Sequence, residues 1–111
     1  MGIYLATLTI AEAGTDSADI TASLSARALR TLKSIEIHGP AALTGTVTVE
    51  TPNSIGSSPT YNTLQSGGAD VTVGADKVTI ITAVPMHGFR VHSSSAEGAA
   101  RSFVVMGEEK D

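Results

Sequence analysis

A chain of 111 residues, 41% of them hydrophobic, has the length of one domain with one core; with only 4% aromatics and no Trp, that core must be filled by Val, Ile, Leu and Ala. The formal charge of −4 is scattered, with no basic stripe for nucleic acid and no apolar run near the roughly 18 residues of a membrane span; the N-terminus lacks a signal-peptide pattern, so cytoplasmic synthesis is expected. Zero cysteines exclude disulfides and thiolate chemistry and remove the commonest zinc ligands.

Met1 to Ile10 reads as a strand, yet Ile3, Tyr4, Leu5, Leu8 and Ile10 put apolar groups on both of its faces. Such a strand lies inside its own sandwich or is completed by another subunit. Gly14-Thr15-Asp16-Ser17 follows as a polar turn. From Asp19 to Lys33 two periods compete. Ile20, Leu24, Ala28 and Leu32 recur as on a helix, whereas Ile20, Ala22 and Leu24 alternate as on a strand. The β-branched Ile20 and Thr21 favour a strand, then a tight turn near Ala26 to Leu29.

Ser34 to His38 and Thr46 to Glu50 alternate cleanly and predict strands, punctuated by Gly39-Pro40 and Gly45. Pro52 to Pro59 is a loop by composition, and Tyr61 to Gln65 a short strand. Gly67-Gly68 and Gly74-Ala75-Asp76 bracket the Ala69 to Val73 strand at hairpin spacing. Further strands are predicted over Lys77 to Thr82, Phe89 to His92 and Ser102 to Met106, with turns at Pro85, Gly88 and Ser93-Ser94-Ser95. About eight strands with turns every 8 to 12 residues predict an all-β fold, an antiparallel β-sandwich of jelly-roll or Ig-like type, over a single domain 1–111. A thin aliphatic core of this size gains from oligomerisation.

Chemistry-bearing constellations are sparse. His87 and His92 are five residues apart, a separation that sends them to opposite faces of a strand, and His38 is remote from both, so surface histidines are expected. The pairs Asp16/Asp19 and Asp70/Asp76 flank turns without the dense acidic spacing of a calcium loop, which makes them turn-forming residues. No serine lies in a G-x-S-x-G elbow, Glu36 and Glu97 are lone carboxylates, and Gly67-Gly68 and Gly98 lack the context of a phosphate cradle. No catalytic, cofactor-binding or metal residue is therefore assigned, no cofactor is expected, and the chain reads as a non-enzyme. Thr46, Thr48, Thr72, Thr79 and Thr82 are expected on outer faces, either as surfaces that pack flat against other protein or through the ordinary strand preference of threonine.

From Leu32 through Val105 the order of elements resembles small β-sandwich structural proteins of tailed-bacteriophage virions. The resemblance rests on Ser34-Ile35-Glu36-Ile37, on Leu43-Thr44-Gly45-Thr46-Val47-Thr48-Val49-Glu50, on Leu64 to Val73 and on Phe89-Arg90-Val91-His92-Ser93-Ser94. It implies a capsid decoration or cement protein: a homo-oligomer made in the host cytoplasm, located on the virion's capsid surface, with the major capsid protein as partner and no nucleic-acid or membrane partner. Ile3, Tyr4 and Leu5 are the expected partner contacts, on a 1–10 strand or arm whose deletion leaves a folded domain. Two alternatives keep the fold. One is a tail- or fibre-associated carbohydrate-binding module with Tyr61 as glycan contact; the other is a head-completion or tail component.

Overall fold

The computed structural model describes residues 2–53 and 58–110; residues 54–57 of the predicted Pro52 to Pro59 loop, and Met1 of the predicted first strand, lie outside the described residues. In chain order the strands are β1 (Gly2–Ile10), β2 (Leu32–His38), β3 (Val47–Pro52), β4 (Tyr61–Thr63), β5 (Gln65–Ser66), β6 (Ala69–Asp70), β7 (Thr72–Val73), β8 (Val78–Ile81), β9 (Arg90–Ser93) and β10 (Arg101–Glu109). A 3-10 turn (Ile20–Ala22) and one short helix, α1 (Ala26–Leu29), lie between β1 and β2.

Alternation in the sequence becomes a two-faced ribbon as soon as strands pair. The first sheet runs β1-β10-β2-β8, antiparallel throughout. Ala6, Leu8, Ile10, Ile35, Ile37, Ile81, Phe103 and Val105 supply its buried face. In the second sheet β3 is bordered on one edge by β9 and on the other by β7 and β4 in succession. Its Val47, Val49, Val73 and Val91 close the core from the other side, with Phe89 fully buried beside them. The molecule is thus an all-β antiparallel sandwich filled by aliphatic side chains and two phenylalanines. Between β4 and β7 the β5–β6 hairpin projects, exposed from Gln65 to Asp70. Its turn residues Gly67 and Gly68 have φ of +63° and +83°, which glycine adopts without steric cost and which matches the twist of a two-residue hairpin.

Three expectations are corrected. First, Ile20 to Leu24 is not a strand. The Asp19 carboxylate accepts from the Thr21 amide at 2.9 Å and Ser25 Oγ from the Ala28 amide at 3.1 Å, so the backbone is turned into two capped helical turns. The Ile20 amide donates to Phe89 O, and its side chain drops into the core.

Second, β1 is no detached arm. It pairs with β10 along nearly its whole length, and Ala6, Leu8 and Ile10 belong to the core. Its two-sided apolarity has a local cause, a β-bulge at Leu5. Tyr4 pairs with Met106 and Ala6 with Val105, so Leu5 is the extra residue, half-buried and in contact with Gly107.

Third, Thr79 faces the inner side of β8. Its partner across the ladder is Ile37, and its hydroxyl donates to Thr72 O at 2.7 Å, which leaves Val78 and Ile80 on the outer face. Thr46, Thr72 and Thr82 are exposed as expected, and Thr48 is half-buried.

Candidate functional site

The outer faces of the two sheets differ in kind. On the second sheet the strand register sets Arg90 of β9 opposite Glu50 of β3, and the guanidinium donates to Glu50 Oε1 at 2.9 Å. It also lies 3.7 Å from Asp16 and stacks on the Tyr61 ring at 3.8 Å from the centroid. The Tyr61 hydroxyl in turn donates to Asp19 Oδ2 at 2.6 Å, and the Asp16 carboxylate is in hydrogen-bond contact with His92 Nδ1. Burial first, and the hydrogen bond to Asp19 second, push the Tyr61 phenol up to about 12.

Ligand atoms of Asp16, Glu50 and His92 lie within 4.8 Å of one another, a spacing from which a metal centre could be built. Arg90 bonds Glu50 and lies beside Asp16, so the positive charge a metal would bring is already supplied by a guanidinium. The cluster is a structural ion-pair network that fastens the 16–19 segment to the second sheet. His87 is half-buried outside it, and His38 lies on the other sheet, 3.8 Å from Glu36. For Tyr61, the candidate glycan contact, one ring face is covered by Arg90 and the hydroxyl is bonded to Asp19. Tyr61→Phe is expected to cost about 1.5–3 kcal/mol in urea unfolding, the worth of a hydrogen bond to a charged group, and to remove the phenol titration near 12.

The first sheet presents the opposite chemistry. Its register lines up two rows of outward side chains across four strands, Tyr4–Met106–Glu36–Ile80 and Thr7–Val104–His38–Val78. Tyr4 and Ile80 are each 61% exposed, Val78 50% and Val104 38%. An antiparallel sheet with one wet face normally carries polar residues there. In these two rows aliphatic and aromatic groups are interrupted only by Glu36, His38 and Thr7, with polar Thr9 and Ser102 on one side and Ser34 and Glu108 on the other, and the four strands span about 15–20 Å in the hydrogen-bonding direction. Neither row contains a nucleophile with a paired base.

Of the expected contact residues, Tyr4 joins this face. Ile3, 38% exposed, lies opposite Gly107 at the sheet margin, and Leu5 is half-buried at the bulge. Sequence reasoning missed Val78, Ile80, Val104 and Met106. The signal was present: β8 and β10 carry apolar residues in both phases, Val78/Ile80 against Ile81 and Val104/Met106 against Phe103/Val105. That is the same two-sidedness that singled out β1.

A different carboxylate fastens the opposite end of β10. Glu97 is 1% exposed; its Oε1 accepts from the Thr44 amide and Arg101 Nε, both at 2.8 Å, and its Oε2 from the Gly45 amide at 3.0 Å and Ser93 Oγ at 2.6 Å. All four acceptor positions are filled, so the group has no capacity left for a substrate. Compared with protein-family models, curated proteins and solved structures, the chain matches none.

Proposed function

We propose that this chain is a non-enzymatic structural protein of a tailed-phage virion, a decoration protein that docks on the outer capsid surface through the outer face of its first sheet. The observation that carries this reading is the double row in which Tyr4, Val78, Ile80 and Val104 stand exposed on one sheet face. The resemblance of Leu32 through Val105 to virion β-sandwiches supplies the partner, the major capsid protein, and the expectation of a homo-oligomer. Stabilisation of the shell then follows from mass action. A ligand that binds only the assembled lattice contributes about 2.7 kcal/mol at a hundredfold excess over its Kd.

The test is copy number and location in purified particles, by quantitative mass spectrometry and cryo-microscopy, with wild type and Ile80→Asp compared. Wild type is expected on the shell in numbers set by the lattice. Ile80→Asp should weaken binding by about 30-fold, the effect of losing one well-packed anchor, and should cost about 1 kcal/mol of stability because it sets a carboxylate directly opposite Glu36, so circular dichroism checks that the variant is folded. Wild-type binding by the variant would remove the face from the mechanism. A few copies at the tail would replace the shell by a tail or head-completion role.

A further inference from the structure

Away from both sheet faces, α1, the start of β2 and the segment before β9 enclose a groove of about 370 Å³. Leu29, Leu32, Val84 and Met86 give it an apolar lining, and Arg30, Lys33 and Lys110 stand around it. Leu29 and Leu32 are buried core residues, whereas Met86 on the same lining is 61% exposed. An unbranched thioether at such a position adapts to whatever packs beneath it.

Charge distinguishes this groove from the rest of the surface. The chain has seven Lys and Arg residues against eleven Asp and Glu. Arg90 and Arg101 are consumed by internal carboxylates. Three of the remaining five ring this groove, and a fourth, Arg27, lies on α1. Among the described residues two acidic groups stand close by. Glu108 pairs with Lys33 at 2.7 Å, and Glu109 lies opposite Leu32 in the ladder. Among the described residues Arg30 and Lys110 have no carboxylate partner.

From the apolar lining and this cationic rim in an otherwise acidic molecule, we infer that the groove is a second docking site, for an acidic peptide segment of a partner protein that carries apolar side chains. The apolar side chains of the segment would pack on Leu29, Leu32 and Val84 under Met86, while its carboxylates pair with Arg30 and Lys110. The rim is exposed, so the groove receives side chains from a strand or loop laid across it rather than enclosing a small molecule. None of these residues belongs to the outer-face rows, so this inference stands independently of the capsid reading.

Fluorescence anisotropy with the full chain tests it, using a fluorescein-labelled peptide of alternating Glu and Leu. A second peptide replaces Leu by Ser, and a third replaces Glu by Lys. The Glu/Leu peptide is expected to bind saturably and to weaken with added salt; the Ser peptide should bind about tenfold more weakly, and the Lys peptide not at all. The Arg30→Glu/Lys110→Glu variant should lose about tenfold in affinity for the Glu/Leu peptide while melting as wild type does, since both side chains are exposed. Methyl shifts on peptide addition should fall on Leu29, Leu32, Val84 and Met86. No saturable binding, equal binding of the Ser peptide, an unchanged affinity in the variant, or shifts confined to Val78, Ile80 and Val104 would each overturn the proposal.

Discussion

Glu97→Ala is expected to lower the unfolding free energy by about 3–5 kcal/mol, a fall of about 10–20 °C in Tm, as removal of one partner from a buried, fully bonded charge does. The side chain joins segments distant in the chain. Thr44 and Gly45 precede β3, Ser93 ends β9 and Arg101 starts β10, while the Glu97 backbone exchanges hydrogen bonds with Ala13 and Gly14. Without the carboxylate, two amides and a guanidinium N–H lose their acceptor at once, and the Ser93 hydroxyl is left with Ser95 O alone. Glu97→Gln is expected to do nearly as badly despite its shape, because each oxygen serves two donors and an NH₂ in place of either one would face both.

The pH dependence follows from the same bonds. Burial by itself would raise the Glu97 pKa, but the hydrogen bonds from Ser93, the Thr44 and Gly45 amides and Arg101 outweigh it and hold it at about 2, below the 4.5 of the free side chain. Between those two values the unfolded chain takes up a proton that the folded chain refuses. The contribution of Glu97 is therefore complete above about pH 4.5 and is lost as the pH falls toward about 2. Urea titrations from neutral pH to pH 2.5 should show a steeper acid decline for wild type than for Glu97→Gln. Parallel curves would mean that Glu97 titrates as a free carboxylate and is not clamped.

Deletion of residues 2–10 is expected to unfold the protein outright. Burying an Ile or Leu side chain is worth about 1.5–3 kcal/mol, and β1 contributes Ile10, Leu8 and the smaller Ala6 to the core. Their loss also strips the cover from Phe103 and Val105 and leaves β10 unpaired on one edge. The side chains of β1 alone approach the low end of the total stability of about 5–15 kcal/mol of a domain, and the exposure of Phe103 and Val105 with the lost ladder to β10 takes the remainder. Far-ultraviolet circular dichroism and amide dispersion in NMR decide it. A dispersed, cooperatively melting spectrum from the truncated chain would return β1 to the status of an arm. Tyr4→Asp separates the two roles of the strand, since Tyr4 is exposed, and that variant should fold while weakening the outer-face contact.

Much of the architecture was legible because pleating repeats every two residues wherever one face is buried. Thr46-Val47-Thr48-Val49 and Ser34-Ile35-Glu36-Ile37 alternate, and each pairs as its pattern implies. Glycine and proline marked the turns, and the lack of cysteine and of a basic stripe bounded the chemistry before any contact was known. Residues 19 to 33 were decided by tertiary structure. A helical turn at Ile20 wins because its amide finds Phe89 O and Asp19 finds Tyr61, partners 69 and 42 residues away in the chain. The phase of β8 was open for the same kind of reason. Val78-Thr79-Ile80-Ile81 offers an apolar residue on either face, and only pairing with β2 turned Ile81 inward and left Ile80 in the outer row.

The amino-acid sequence alone therefore determined the all-β class, most of the strands and the absence of recognisable reacting motifs, since these depend on neighbours along the chain. The tertiary structure alone decided which apolar residues remain exposed, that Glu97 meets four donors and that Arg30, Lys33 and Lys110 gather beside Leu29 and Leu32. Register and through-space pairing join residues that no local period connects, and those long-range contacts are where the candidate surfaces of this protein are made.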